Sequence, residues 1–238
     1  MGILRYMKEE FQVIKERDPA IKSPMEVLLY PTFHVMLSYR RAHKLYLKGH
    51  YFWARFISQR AARKTGIEIH PGATIGKGLF IDHGSGVIIG ETAIIGDNVT
   101  LYQGVTLGGT GKETGKRHPT IGNNVMISAG AKIIGSFTVG DNSKIGAGSV
   151  VTRDIPKNSL AVGNPCRVIR QITEVPGRVV KRDNIRTPQD DMDQVHLPDP
   201  VKEDITVLQH ENAELVNRVL DLEKEVRILS AGAGASQE

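Results

Sequence analysis

Residues 121–151 read IGNNVMISAGAKIIGSFTVGDNSKIGAGSVV, with an aliphatic residue at every sixth place: Ile121, Ile127, Ile133, Val139, Ile145 and Val151. The spacing continues backward through Leu107, Leu101, Ile95 and Ile89, and again through Ile81, Ile75 and Ile69. Glycine often follows the aliphatic residue (Gly76, Gly90, Gly96, Gly108, Gly122, Gly140, Gly146). A small residue often sits four places after it (Ala73, Ala93, Val99, Val105, Val125, Ala131, Ser143, Ser149). An ordinary strand alternates its faces with a period of two. A period of six means a short strand and then a corner, with the aliphatic residue inward and glycine relieving crowding at the bend. Three such sides close a triangular coil of about 18 residues, and stacked coils make a parallel β-helix.

The register breaks twice. Between Ile81 and Ile89 the step is longer by two residues, beside Asp82 and His83. Between Leu107 and Ile121 it is longer by eight, and this insertion ends at Arg117, His118 and Pro119. Extra residues in a solenoid become surface loops, often on its binding face. Both breaks carry ionisable side chains, so the site is expected there.

Composition narrows the rest. The chain has 238 residues, enough for one sizeable domain with appendages. No apolar run approaches a membrane span. The first residues are charged (Arg5, Lys8, Glu9, Glu10), unlike a signal peptide. The single cysteine, Cys166, cannot form an internal disulfide and suits a reducing cytoplasm. The net charge of +5 divides as +8 over residues 1–65, +1 over 66–165 and −4 over 166–238. The basic residues of the first segment are scattered along helical patterns. They read as a solvated helix face rather than a nucleic-acid surface.

Helices are expected over residues 3–16, from Pro31 to before Gly49, and over about 51–64. The domain reading is an N-terminal helical region (1–66), a β-helix domain (67–170), a linker rich in Pro, Asp and Arg (171–200), a coiled coil (201–230) and a tail (231–238). The coiled coil rests on Val201, Ile205, Leu208, Asn212, Leu215, Val219, Leu222, Val226 and Leu229, spaced three and four apart. Asn212 at an a position fixes register. Arg218 and Glu223 resemble a trimer-associated g-to-e pair, so three strands are preferred.

The motifs resemble one family closely, the serine O-acetyltransferases. The match lies in Glu68-Ile-His-Pro, Leu79-Phe-Ile-Asp-His, Gly90-Glu-Thr-Ala, Val105-Thr-Leu-Gly-Gly-Thr-Gly-Lys, Arg117-His-Pro and Gly163-Asn-Pro. It runs from about Asp18 to Arg170. The resemblance implies a mainly β fold, a left-handed hexapeptide-repeat β-helix with a helical N-terminal region. It implies acetyl transfer from acetyl-CoA to the L-serine hydroxyl, the first committed step of cysteine biosynthesis, with no tightly bound cofactor and no metal. His83 stands at the family's general base, since imidazole titrates near working pH. Glu68 stands where the family usually has an aspartate orienting that base. Asp18 and Asp82 suit the substrate ammonium. Arg117 suits its carboxylate as a fork. His118 touches substrate and is a candidate second acid–base group. The Gly109 N–H is the candidate oxyanion donor. Ala129, Lys144 and Ala147 are placed along the coenzyme. L-Cysteine is expected as a feedback inhibitor at the serine site.

Three other readings compete. Transfer to another hydroxyl, of homoserine or a sugar, is the nearest. A γ-type carbonic anhydrase needs three histidines on zinc. His83 and His118 are available, but no third histidine occurs between residues 119 and 195. A non-enzymatic trimeric scaffold leaves the charged register breaks unexplained. The family site lies between subunits, so Arg117 and His118 are expected to serve a neighbour's His83. Its longer members join two trimers into a hexamer. The short helical region here predicts a homotrimer. The charged end at Glu238 predicts little or no binding to O-acetylserine sulfhydrylase.

Overall fold

The computed structural model describes residues 3–111, 114–171, 209, 212–219 and 222. The chain divides into two units, Met1–Leu197 and Pro198–Glu238. The first opens with three α-helices, α1 (Ile3–Arg17), α2 (Pro31–Leu47) and α3 (Tyr51–Thr65). All three match the apolar periodicity. A 3-10 helix over Pro24–Leu29 was not anticipated. Its signal is the capping box Ser23-Pro-Met-Glu26, in which Glu26 also accepts from the Ser23 N–H at 2.9 Å.

Fifteen short strands follow among the described residues, numbered in chain order, and stack into three sheets that form the sides of the left-handed β-helix. The first side holds β1 (Glu68–Ile69), β4 (Ile88–Ile89), β7 (Thr106–Gly108), β10 (Lys132–Ile134) and β13 (Val150–Val151). The second holds β2 (Thr74–Ile75), β5 (Ile94–Ile95), β8 (Thr120–Ile121) and β11 (Thr138–Val139). The third holds β3 (Phe80–Ile81), β6 (Thr100–Leu101), β9 (Met126–Ile127), β12 (Lys144–Ile145), β14 (Ser159–Val162) and β15 (Arg167–Gln171). Every pairing is parallel except β14 with β15, which turns back antiparallel at the last coil.

The hexapeptide residues form three internal columns. Ile69 stacks on Ile89, Leu107, Ile133 and Val151, at offsets of 20, 18, 26 and 18 residues. An 18-residue coil is thus the rule, with two extra residues in one coil and eight in another. The small residues four places on are buried too; Ala73, Val99, Ala131, Ser143 and Ser149 are fully enclosed. The column continues past the repeat's apparent end, because Val139 bridges Ile155 and Ile145 stacks on Ala161.

Glycine works differently from the expectation at the second corner. There a side chain would collide with the next coil, not with a bend of its own. A Cβ on Gly76 would lie 2.7 Å from Gly96 O, and one on Gly140 would lie 2.5 Å from Lys157 N. The left-handed bends lie at other positions. Gly86, Gly104, Gly130 and Gly148 form one stack with φ between 67° and 74°. Asn98, Asn124, Asn142 and Asn158 form another, near 57°, tied by Asn142 Nδ2 donating to Asn158 Oδ1 at 3.0 Å.

The helices close the open end of this solenoid. In the second coil the carbonyls of Ile89, Ala93, Ile95 and Leu101 accept from the N–H groups of the coil below. Their counterparts in the first coil have no coil below, and a buried carbonyl without a donor is costly. Side chains from the helical region supply the donors. Ser58 donates to Ile69 O at 2.6 Å, Tyr39 to Ala73 O at 2.6 Å, Arg40 to Ile75 O at 2.8 Å, and Thr32 to Ile81 O. Ile14, Val27, Phe33 and Phe80 bury the apolar surface beside them.

In the second unit residues 209, 212–219 and 222 are helical, and Leu215, Val219 and Leu222 of the heptad stripe are exposed. The rest of the expected coiled coil, nearly all of the linker, and the tail lie outside the described residues.

Candidate active site

The coil has three edges, and the two register breaks fall on different ones. Asp82 and His83 lie where the third side turns into the first, between β3 and β4. Arg117 and His118 lie where the first side turns into the second, between β7 and β8. Within one chain the two histidines are therefore separated by the whole first side.

On the first of these edges His83 is exposed, with three-quarters of its side-chain surface open. Its backbone is left-handed, φ 50°, a conformation in which histidine is enriched among non-glycine residues. Its Nε2 lies 3.7 Å from Asp82 Oδ1. The Asp82 carboxyl is raised above the ordinary carboxylate range, first by burial and then by the negative charge of Asp18, against the pull of His83. Asp18 follows α1 and is held at both oxygens. Oδ1 accepts from the Ala20 N–H at 2.7 Å and Oδ2 from the Tyr30 hydroxyl. Burial, and then the bond to Asp18, push that hydroxyl up to about 12. Two adjacent carboxylates, one partly buried, make a place for a cation.

Glu68 sits at the head of β1 on the same edge. The structure does not bring it onto His83: its Oε1 accepts from Gln59 Nε2 at 3.2 Å, and the carboxylate nearest His83 is that of Asp82. Ala129 and Ala147 continue the His83 edge upward, one coil apart, where Gly148 N–H donates to Ala129 O at 2.8 Å. Lys144 lies on the third side, in β12.

The other edge is built around a 26-residue coil. Residues 26 apart stack there, so Glu91 meets Arg117 and Thr92 meets His118. Arg117 Nη2 donates to Glu91 Oε2 at 2.9 Å, while Glu91 Oε1 accepts from the Tyr46 hydroxyl at 3.0 Å. The Thr92 hydroxyl accepts from the backbone N–H of Arg117 at 3.1 Å and of His118 at 3.2 Å. Lys116 Nζ donates to Thr92 O at 2.8 Å. His118 is 7% exposed. Its ring fills the space above Gly90, where a Cβ would lie 1.9 Å from Cδ2. Burial first, then the charges of Arg117 and Lys116, hold its pKa below 6.5. Gly109 lies on this edge too, where a Cβ would come within 3.0 Å of Arg117 Cγ.

Tyr30, Glu91 and Thr92 were missed as site residues in the sequence. Glu91 and Thr92 had a usable signal, since they stand one inserted coil before Arg117 and His118. Tyr30 had none, because its approach to Asp18 is tertiary. Among the described residues no cluster of three His, Cys, Asp or Glu is placed for a metal ion, and no helix is long and apolar enough to cross a membrane.

Known proteins resemble the chain in sequence and in fold. Residues 118–153 match the model of the bacterial transferase hexapeptide (six repeats). A serine acetyltransferase of Staphylococcus aureus (strain MSSA476) is 50% identical over 212 residues, covering 89% of this chain and 93% of its own. Soybean serine acetyltransferase complexed with serine superposes with a TM-score of 0.68 at 43% identity, over 70% of this chain and 69% of that one. A serine acetyltransferase in complex with cysteine gives 0.69 at 41% identity, over 72% and 67%.

Proposed function

The chain belongs to the serine acetyltransferase family, and we propose that it transfers acetyl from acetyl-CoA to the hydroxyl of L-serine. One observation carries the reading: at a break in the coil an exposed histidine stands 3.7 Å from Asp82, whose carboxyl in turn feels the charge of Asp18. Asp18 and Asp82 take the ammonium, and Arg117 takes the carboxylate. His83 accepts the proton from serine Oγ as Oγ bonds to the thioester carbonyl carbon. The tetrahedral oxyanion collapses, the C–S bond breaks, and the proton passes from the imidazolium to the departing sulfur. The products are O-acetylserine and CoA. Glu68 turns from Gln59 to the His83 ring in the ligand-bound state, since catalytic hydrogen bonds often tighten only then. The Gly109 N–H faces the oxyanion. The coenzyme follows the edge marked by Ala129 and Ala147, with Lys144 toward its phosphates.

The separation of the two edges supports a cyclic homotrimer. In a threefold ring each copy offers one edge to each neighbour, so the Arg117–His118 edge of one chain completes the His83 edge of the next. The exposed Leu215, Val219 and Leu222 support a three-stranded coiled coil in the second unit. L-Cysteine has the same ammonium and carboxylate and competes for the same groups. The lone cysteine supports a reducing cytoplasmic setting.

Acceptor-dependent CoA release tests the activity. Serine should support release well above homoserine and sugars, with L-cysteine competitive against serine. Preference for homoserine or a sugar would overturn the choice of acceptor, and no release with any of them would overturn the enzyme.

A further inference from the structure

The hydrogen bonds around His118 decide where its proton sits. Nδ1 lies 3.2 Å from the Thr92 N–H, which can only donate. It lies 2.9 Å from the Thr92 hydroxyl. That hydroxyl oxygen already accepts from two backbone N–H groups, of Arg117 and His118, so its own hydrogen points to the ring. Nδ1 therefore receives two hydrogens and carries none. The proton of the neutral ring is on Nε2, which has no hydrogen-bond partner among the described residues and lies beside Gly90 and Gly109. A buried ring nitrogen with two donors already aimed at it is not a site for a third proton.

We propose that Thr92 is a positioning residue for the reaction: its hydroxyl fixes His118 as the Nε2–H tautomer and ties it to Arg117. His118 is then a fixed donor toward an anionic group of the ligand and takes no proton during turnover. This replaces the expectation of a second acid–base group at this position. The lowered pKa of the ring agrees with a side chain that stays neutral. The same device accounts for the order Gly90-Glu91-Thr92. Gly90 leaves room for the ring, Glu91 pairs with the guanidinium, and Thr92 sets the tautomer. The choice of ligand rests on the serine reading above; the tautomer does not.

The test uses the full-length protein labelled with ¹⁵N-histidine, in two-bond ¹H–¹⁵N spectra near pH 8, with H118Q to assign the signals. Wild type should show His118 with a protonated Nε2 and a bare Nδ1. Thr92→Val, nearly isosteric, removes the hydroxyl at 2.9 Å and leaves only the backbone N–H at 3.2 Å on Nδ1. It should weaken that single-tautomer signature and raise KM for serine roughly tenfold or more, with a smaller change in kcat. Thr92→Ser should restore both. A wild-type ring protonated on Nδ1 would overturn the proposal. So would an unchanged His118 spectrum in Thr92→Val, kinetics within about twofold of wild type despite a changed spectrum, or failure of serine to rescue. If serine proves not to be the acceptor, the activity reading fails, while the spectrum, which needs no substrate, still decides the tautomer.

Discussion

The edge that carries His83 and the edge that carries His118 solve opposite problems with the same residue type. His83 stands in the open on a left-handed residue, with one carboxylate at 3.7 Å. His118 is enclosed, with Nδ1 engaged by Thr92 and the ring seated over a glycine. A group that must take up a proton and return it needs access and a charge state it can change. A group that recognises needs the reverse, one tautomer and one orientation. The insertions differ accordingly. Two extra residues release a corner, whereas eight build a loop that folds back onto the coil below it.

The largest effect should come from the open edge. Replacing His83 by Ala should lower kcat by roughly 10²–10⁴ through loss of the general base, without disturbing assembly. Steady-state kinetics with light scattering on the same sample would check both. Activity within a few-fold of wild type would remove His83 from proton transfer and dissolve the contrast between the edges.

The locked edge should fail in another way. A Cβ at Gly90 cannot coexist with the His118 ring 1.9 Å away. Gly90→Ala should displace the ring and lower kcat/KM by about 10². Overpacking should also cost about 1–3 kcal/mol of stability. Thermal melts and kinetics would separate the two. An enzyme that accepts this methyl group with full activity would show that His118 need not sit where the structure has it.

A third variant tests whether the open edge is as open as it looks. Glu68→Gln removes the carboxylate charge. It should lower kcat by roughly 10–100-fold, the usual cost of losing a group that orients a functional side chain. A loss equal to that of His83→Ala would mean the two act as one unit. A loss under about threefold would leave Asp82 as the carboxylate that serves His83, as the distances have it.

How much of this was legible in the sequence follows from which interactions are periodic. The columns of Ile, Leu and Val repeat every six residues, so the sides of the prism could be drawn before any coordinate. So could the two breaks and the three α-helices. The Glu91–Arg117 and Thr92–His118 pairs were legible in principle, because coil length alone puts residues 26 apart in contact. The carbonyl cap was not. Nothing in the spacing of Thr32, Tyr39, Arg40 and Ser58 shows that a solenoid end lies beneath them. Tyr30 on Asp18 is of the same kind. The Gln59–Glu68 pair depends on how α3 lies on the first coil, which no repeat encodes.

The smallest effect concerns acid stability, and its sign separates a locked histidine from one merely tucked away. Burial and the charges of Arg117 and Lys116 lower the His118 pKa from 6.5 in the folded chain. The unfolded chain then binds the proton more readily than the folded one. The neutral ring contributes stability that is present above 6.5 and is lost as pH falls through the folded value. His118→Gln cannot take that proton. Its melting temperature should therefore fall less steeply than that of wild type between about pH 7 and about pH 5, even if it starts lower. The comparison should be made without ligand, because a bound anion would add its own linkage. Parallel acid slopes for the two proteins would mean that His118 gains its proton as easily folded as unfolded. The two Thr92 donors would then not be holding Nδ1, and the distinction between the two edges would reduce to exposure alone.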